Sequence, residues 1–419
     1  MNVNEYLRKS TIYQIFPRNY SKEGTFKKIT EDLDRIESLG VNILYLLPIN
    51  KIGEKERKGT YGSPYATQDY FSISPDLGTL EDLKELVDET HKRGMKIILD
   101  MVFNHTAPDC VLFLEHPDYY YLKNGVPGNR VGDWTDIIDL ETTKPEVQDY
   151  LISVLKYWKS VGFDGFRFDV ASIIPQSLFI KAKAILGENT IFLAESVEES
   201  FIEELHSRNY YAAWDYELLP HFDALYNYSS FRLMCDFLRT KDFEYLKKYI
   251  TQNVNEYSEL PNLLRANCLE NHDQDRVAKH ISGEPLNALT ILSYILKGTS
   301  FIYAGQENGN KHKPELFEKD PVDFTYIDEK MLGLHKTLIS LKKEEKYLAT
   351  TEYNVTFLDE GVVILTLSKN GDTLIEAYLN FSNKKVNIPN FKGGVDYLTK
   401  ETIKDSENYL LDKSLIFLR

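Results

Sequence analysis

Short apolar runs rich in β-branched and aromatic residues alternate with stretches of helical period from the N-terminus to about residue 340. The runs are Ile12–Phe16, Ile43–Leu47, Ile97–Phe103, Phe163–Phe168, Ile191–Ala194, Tyr211–Trp214, Ala266–Leu269 and Ser300–Tyr303. Between them, Thr79–Arg93 repeats Leu80, Leu83, Leu86 and Val87 at helical spacing. Lys144–Val161 does the same with Val147, Leu151, Val154, Leu155 and Trp158. Thr79 followed by Asp82 has the form of a capping box, and Gly94 is a stop signal. Eight strands, each followed by helix, are the count for a closed parallel barrel.

The pattern changes after about residue 345. Tyr353–Phe357, Val362–Ser368 and Thr373–Leu379 alternate as strands, broken by turns at Asp359-Glu360-Gly361 and Asn370-Gly371-Asp372, and Leu410–Leu418 adds one or two more. The expected architecture is therefore an α/β chain, with a (β/α)8 barrel over residues 1–344 and an antiparallel β domain over 345–419. Residues 106–143, rich in Asp, Pro, Gly and Tyr, are long for a βα loop and read as a short inserted region after the third strand.

Composition narrows the function. Hydrophobic residues at 42% and charged residues at 27% describe an ordinary globular chain. A formal charge of −15 argues against nucleic acid and anionic membranes as partners, and suits a neutral ligand such as a sugar. No apolar run is long enough to span a bilayer. Cys110, Cys235 and Cys268 form neither a CxxC pair nor a disulfide framework, and the opening Met1–Tyr6 has no signal-peptide character, so a cytoplasmic address is expected.

In a β/α barrel the chemistry stands at the C-terminal ends of strands. Four such ends carry polar residues. Asp100-Met101-Val102-Phe103-Asn104-His105 closes the third run; Asp100 and Asn104 read as loop anchors and His105 as a substrate contact. In Gly165-Phe166-Arg167-Phe168-Asp169, Arg167 and Asp169 share a face. An arginine there would keep a nucleophilic carboxylate ionised, although a structural ion pair would look the same. Glu195 ends Ile191-Phe192-Leu193-Ala194 with no cation nearby in sequence, which predicts a raised pKa suited to a general acid, or else a plain loop carboxylate. Glu270-Asn271-His272-Asp273 follows Ala266–Leu269 and suits sugar hydroxyls better than a metal, because further His ligands are missing. Glycoside hydrolysis needs two carboxylates of opposed pKa flanking the anomeric carbon. Asp169, Glu195 and Asp273 supply three candidates.

The four clusters, in order and spacing, resemble the signature regions of the α-amylase family of glycoside hydrolases. Gly40–Pro48, Gly62-Ser63-Pro64-Tyr65, Asp69-Tyr70, Ile138-Asp139-Leu140 and Tyr303-Ala304-Gly305-Gln306-Glu307 extend the resemblance over nearly the whole chain. It implies Asp169 as nucleophile, Glu195 as general acid/base and Asp273 as transition-state stabiliser. By the same match, Tyr65, His105, Arg167 and His272 line the subsite of the reacting glucose, Tyr65 stacking on the sugar, while Asp100 supports the barrel end and Asp275-Arg276 lies close by. The implied reaction is hydrolysis of α-1,4-glucosidic bonds in maltooligosaccharides or α-glucans, with retention of configuration. Alternatives are an α-glucosidase or transglycosylase with the same three carboxylates, or a non-catalytic sugar-binding member.

The departures matter. Ser172 and Ile173 stand where many starch-degrading members carry a Lys-His pair, and Ser63-Pro64-Tyr65 replaces His-Gly-Tyr. With the short insertion, these point to short oligosaccharides over long starch. No redox or nucleotide cofactor is implied. Asn104 and Asp139 match two calcium ligands of the family, and both can equally tie the insertion to the barrel, so a structural calcium is left open.

Overall fold

The computed structural model describes residues 3–131, 134–358 and 361–419. Eight parallel strands form a closed barrel: β1 (Thr11–Ile15), β2 (Ile43–Leu46), β3 (Lys96–Met101), β4 (Gly165–Phe168), β5 (Ile191–Ala194), β6 (Ala224–Tyr226), β7 (Arg265–Asn267) and β8 (Gly298–Tyr303). Each strand's neighbours in the barrel are its neighbours in sequence. The third to fifth are buried almost throughout, as strands covered by side chains on one face and helices on the other must be.

Local chemistry explains the main elements. Helix Leu80–Lys92 starts with the reciprocal Thr79/Asp82 capping box and turns out through Gly94 at φ 70°. Helix Pro145–Val161 begins with proline at its first position, buries Leu151, Leu155 and Trp158, and anchors Trp158 Nε1 on the Tyr70 carbonyl at 2.9 Å. The outward aromatic of β4, Phe168, packs on Phe179 of the next helix and on Phe192 and Phe222, with centroids 4.9–5.8 Å apart.

One strand lies elsewhere than the pattern predicts. Tyr211–Trp214 joins no ladder. Ala212 and Ala213 are buried, Ala213 N–H donates to the Ser172 carbonyl, and Trp214 leads into helix Asp215–Leu218. The sixth barrel position is filled by the three-residue β6, which pairs Leu193 with Ala224 and Ala194 with Leu225. Three residues are too few to show a period, whereas the apolar run ahead of them mimics one.

Two compact units make up the chain, one chiefly Ile12–Ser229 with Lys313–Val322, the other Glu5–Thr11, Ser230–His312 and Asp323–Arg419. In the second, β9 (Glu352–Leu358), β10 (Val362–Lys369) and β11 (Asp372–Asn380) form an antiparallel sheet that β14 (Leu415–Leu418) completes. The pair β12 (Val386–Phe391) and β13 (Ser406–Leu411) packs Val386, Ile388, Phe391 and Leu411 against its Tyr378 and Phe417. Asn370 and Gly371, both at positive φ, make the tight β10–β11 hairpin. The expected turn at Asp359-Glu360, like Met1-Asn2 at the N-terminus, lies outside the described residues.

Candidate active site

The register of β3, β4 and β5 builds the first cluster. Arg167 of β4 stands level with Asp100 of β3. In a parallel ladder, level side chains share a face. The close approach of β4 to β5 requires glycine at its first position, since a Cβ on Gly165 would lie 2.2 Å from the Ile191 carbonyl oxygen. The fully buried Arg167 then reaches three carboxylates: Asp100 at 2.8 Å, Asp169 at 2.9 Å and Glu195 at 2.9 Å. Asp100 also accepts from Tyr45 Oη at 2.5 Å and Tyr65 Oη at 2.9 Å, which makes it the structural anchor of the group.

The isolated Glu195 expected from sequence is therefore corrected, because Arg167 of the neighbouring strand supplies the cation. Its Nη1 donates a hydrogen bond to Asp169 Oδ1, whereas Nη2 faces Glu195 Oε2 at 2.9 Å without making one. Glu195 Oε2 instead accepts the Val170 N–H at 2.7 Å. Val170 holds φ 39°, ψ 46°, a left-handed conformation costly for a β-branched residue, roughly 1–3 kcal/mol. Such strain persists only where contacts over-determine it. Here the twist turns the amide after Asp169 onto Glu195, and the Ala171 N–H on the Glu195 carbonyl fixes it further.

Three carboxylates around one guanidinium are more negative charge than it can neutralise. Burial first, and then the charge of Glu195, push Asp169 well above the usual carboxylate range, with Arg167 pulling the other way. The expectation that Arg167 alone sets a low pKa is thus corrected.

His105 pairs with Asp139 in a two-residue ladder that ties the insertion to the barrel end. Burial lowers its pKa to about 4, so it is neutral at neutral pH, with the backbone of Tyr65 hydrogen-bonded to it and Trp134 6.2 Å away, ring to ring. In the second unit, the Asn271 side chain accepts the N–H groups of Asp273 and Gln274 and presents Asp273, whose side chain is 42% exposed, beside the buried His272 at 3.1 Å. Behind them Arg276 is fully buried, bonded to Glu270 at 2.7 Å and to the carbonyls of Ala304 and His312, while Asp275 faces Lys279 and His280 at the surface.

The description "Alpha amylase, catalytic domain" matches residues 14–135 and 115–344, most of the chain. The chain belongs to the alpha-amylase family. Such an enzyme is a glycoside hydrolase acting on α-glucans. An alpha-amylase from Lactobacillus plantarum is 34% identical, with 99% of each chain covered and a TM-score of 0.91. A noncanonic maltogenic alpha-amylase from Thermotoga neapolitana is 26% identical over 99% of each chain, with a TM-score of 0.84. Among curated relatives, the intracellular maltogenic amylase of Bacillus subtilis is 26% identical, covering 96% of this chain and 74% of its own length.

In this family member, Tyr65, Arg167, Asp169 and Glu195 are gathered into one charged cluster, and His105 joins it through Tyr65. His272 and Asp273 pair with each other. Sequence reasoning missed Tyr45 and Val170. Tyr45 gave no signal inside an apolar strand, and nothing in the letters Asp169-Val170-Ala171 announces a left-handed valine. The family departures also have a physical account. Ser172 is buried, its hydroxyl accepting the Val197 N–H at 3.1 Å, and Ile173 packs with Trp214, Tyr210 and Val170 on the cluster of Val131, Val197, Ile202 and Leu205. Both side chains serve internal packing.

Proposed function

We propose that this chain hydrolyses α-1,4 bonds of short maltooligosaccharides by double displacement, with Asp169 as nucleophile and Glu195 as general acid/base. The observation that carries the proposal is the shared guanidinium of Arg167. A pair with one proton between two buried carboxylates can attack with one member and protonate with the other. The hydrogen bond from Arg167 Nη1 opposes the rise that burial gives Asp169, and the assignment of attack to Asp169 and of the proton to Glu195 rests on the family resemblance. Sharing one guanidinium also supports the close carboxylate spacing of retaining enzymes, about 5–5.5 Å, over the wider gap that inverting enzymes need for a water.

Asp169 attacks the anomeric carbon while Glu195 protonates the departing glycosidic oxygen, giving a glucosyl ester and a free sugar. Glu195 then takes a proton from water, whose oxygen displaces Asp169 and restores the α configuration. Asp273 stabilises the oxocarbenium-like transition state, and Tyr65, Arg167, His105 and His272 hold the reacting glucose; these roles rest on the family resemblance. The packed Ser172 and Ile173 support few leaving-group subsites, so kcat/KM should rise little with chain length. The test is kcat/KM from maltotriose to maltoheptaose and then soluble starch; a steep rise continuing to polymer contradicts the short-substrate reading. The apolar cluster around Ile173 favours one second reading, transfer to a sugar acceptor in place of water. Products longer than the substrate would establish it. The name of the Bacillus subtilis relative supports a cytoplasmic address.

A further inference from the structure

Asn104 and Asp139, which match two calcium ligands of the family, allow a direct test of whether this chain can hold the ion. Calcium requires roughly six to eight oxygen ligands around one point. Here the oxygens of Asp139, Leu140 and Glu141 are already engaged by one residue, Arg130, through its backbone N–H and its guanidinium. The Arg130 backbone N–H donates to Asp139 Oδ2 at 2.7 Å, and its guanidinium lies 3.5 Å from the same oxygen. Its Nη1 donates to the Leu140 carbonyl at 3.1 Å and its Nη2 to Glu141 at 2.7 Å. The guanidinium lies over the Tyr121 ring at 4.2 Å, and the Tyr121 N–H donates to the Asp139 carbonyl. The Arg208 guanidinium in turn holds the Arg130 carbonyl at 2.8 Å. Asp139 Oδ1 faces the Asn104 amide nitrogen at 3.4 Å, and the Asn104 carbonyl accepts the Leu140 N–H. Among the described residues, no group of three or more His, Cys, Asp or Glu side chains is placed to hold a metal ion. The donor set does not fit calcium.

We infer that Arg130 does in this chain what a bound calcium ion would do: its guanidinium clamps Asp139, Leu140 and Glu141 and so fastens the inserted region to the end of β3, which makes the fold independent of calcium. A planar cation with five fixed donors can satisfy two carboxylates and a carbonyl at once. A divalent cation entering the same space would have to displace it and would face its charge.

Two arms test the inference on the full chain. In the first, the wild-type protein is dialysed against EDTA, its calcium is measured by elemental analysis, and its Tm is recorded with chelator and with millimolar CaCl2. The inference expects far less than one calcium per chain and the same Tm in both buffers. Stoichiometric retained calcium, or a Tm that falls in EDTA and recovers with calcium, overturns it. In the second, Arg130→Gln and Arg130→Lys are compared. The glutamine variant should melt several degrees lower, with faster proteolysis within residues 106–143, and lysine should restore part of the loss. An unchanged Tm and unchanged proteolysis in Arg130→Gln would also overturn it. If that variant does not fold, the wild-type arm decides alone.

Discussion

Arg167 and Arg130 are both arginines ringed by carboxylates, and they differ in how completely their donors are used. Arg130, its side chain 21% exposed, has both terminal nitrogens hydrogen-bonded and an aromatic ring beneath it. Arg167 is fully buried, meets three carboxylates, and leaves Nε and Nη2 without hydrogen bonds. A cation whose two terminal nitrogens are both hydrogen-bonded fastens. The other, surrounded by more negative charge than it can neutralise, leaves Asp169 with a raised pKa, and that crowding costs stability. The two sites illustrate the general tension between stored strain at a functional centre and stability elsewhere.

That contrast can be broken most sharply at Asp169. Asp169→Asn should reduce kcat/KM by about 10⁴-fold or more, while Tm stays equal or rises because one of three crowded charges is gone. A clear fall in Tm would show that the charges are balanced and the crowding is not real. Glu195→Gln comes next. It should lose about 10²–10⁴-fold on maltooligosaccharides but little in the first step with an activated aryl leaving group, which needs no protonation. Equal loss on both substrates would remove Glu195 from the acid role. Arg130→Gln should show the opposite pattern to Asp169→Asn, with Tm lowered and kcat/KM at a permissive temperature within about threefold, since a partly exposed ion pair outside the charged cluster contributes to folding and not to the barrier.

The smallest effect concerns acid stability. Burial lowers both His105 and His335 to about 4. Because their unfolded values are near 6.5, the unfolded chain binds more protons between pH 6.5 and 4, and stability must fall as pH drops through that window. His335 belongs to the second unit, its Nδ1 2.8 Å from Tyr294 Oη. His335→Gln should therefore lose less stability than wild type between pH 7 and 4.5, measured as the urea midpoint. Parallel curves would mean that His335 does not titrate.

The barrel was legible because its strands carry their signal locally. Ile191–Ala194 is the predicted run to the residue, and the Thr79/Asp82 box needed only its own two side chains. The exception, β6, carries too few residues for a pattern, and its place is fixed by the ladder to β5. The carboxylates at the strand ends were legible for the same local reason. What sequence could not supply is register: only the pairing of Arg167 with Asp100, and the turn at Val170, put a cation and a backbone amide on Glu195. Arg130 was equally silent, since its partners at 139–141 lie across a loop whose course no periodicity sets.

If Asp169 and Glu195 act as a close, retaining pair, the anomeric form of the first product shows it directly. Maltotriose mixed with enzyme at a concentration that completes hydrolysis faster than mutarotation should give, by proton NMR in the first minutes, new reducing ends in the α form that drift slowly to the equilibrium mixture. New reducing ends appearing first in the β form would mean inversion, and the shared-guanidinium account of the pair would be wrong.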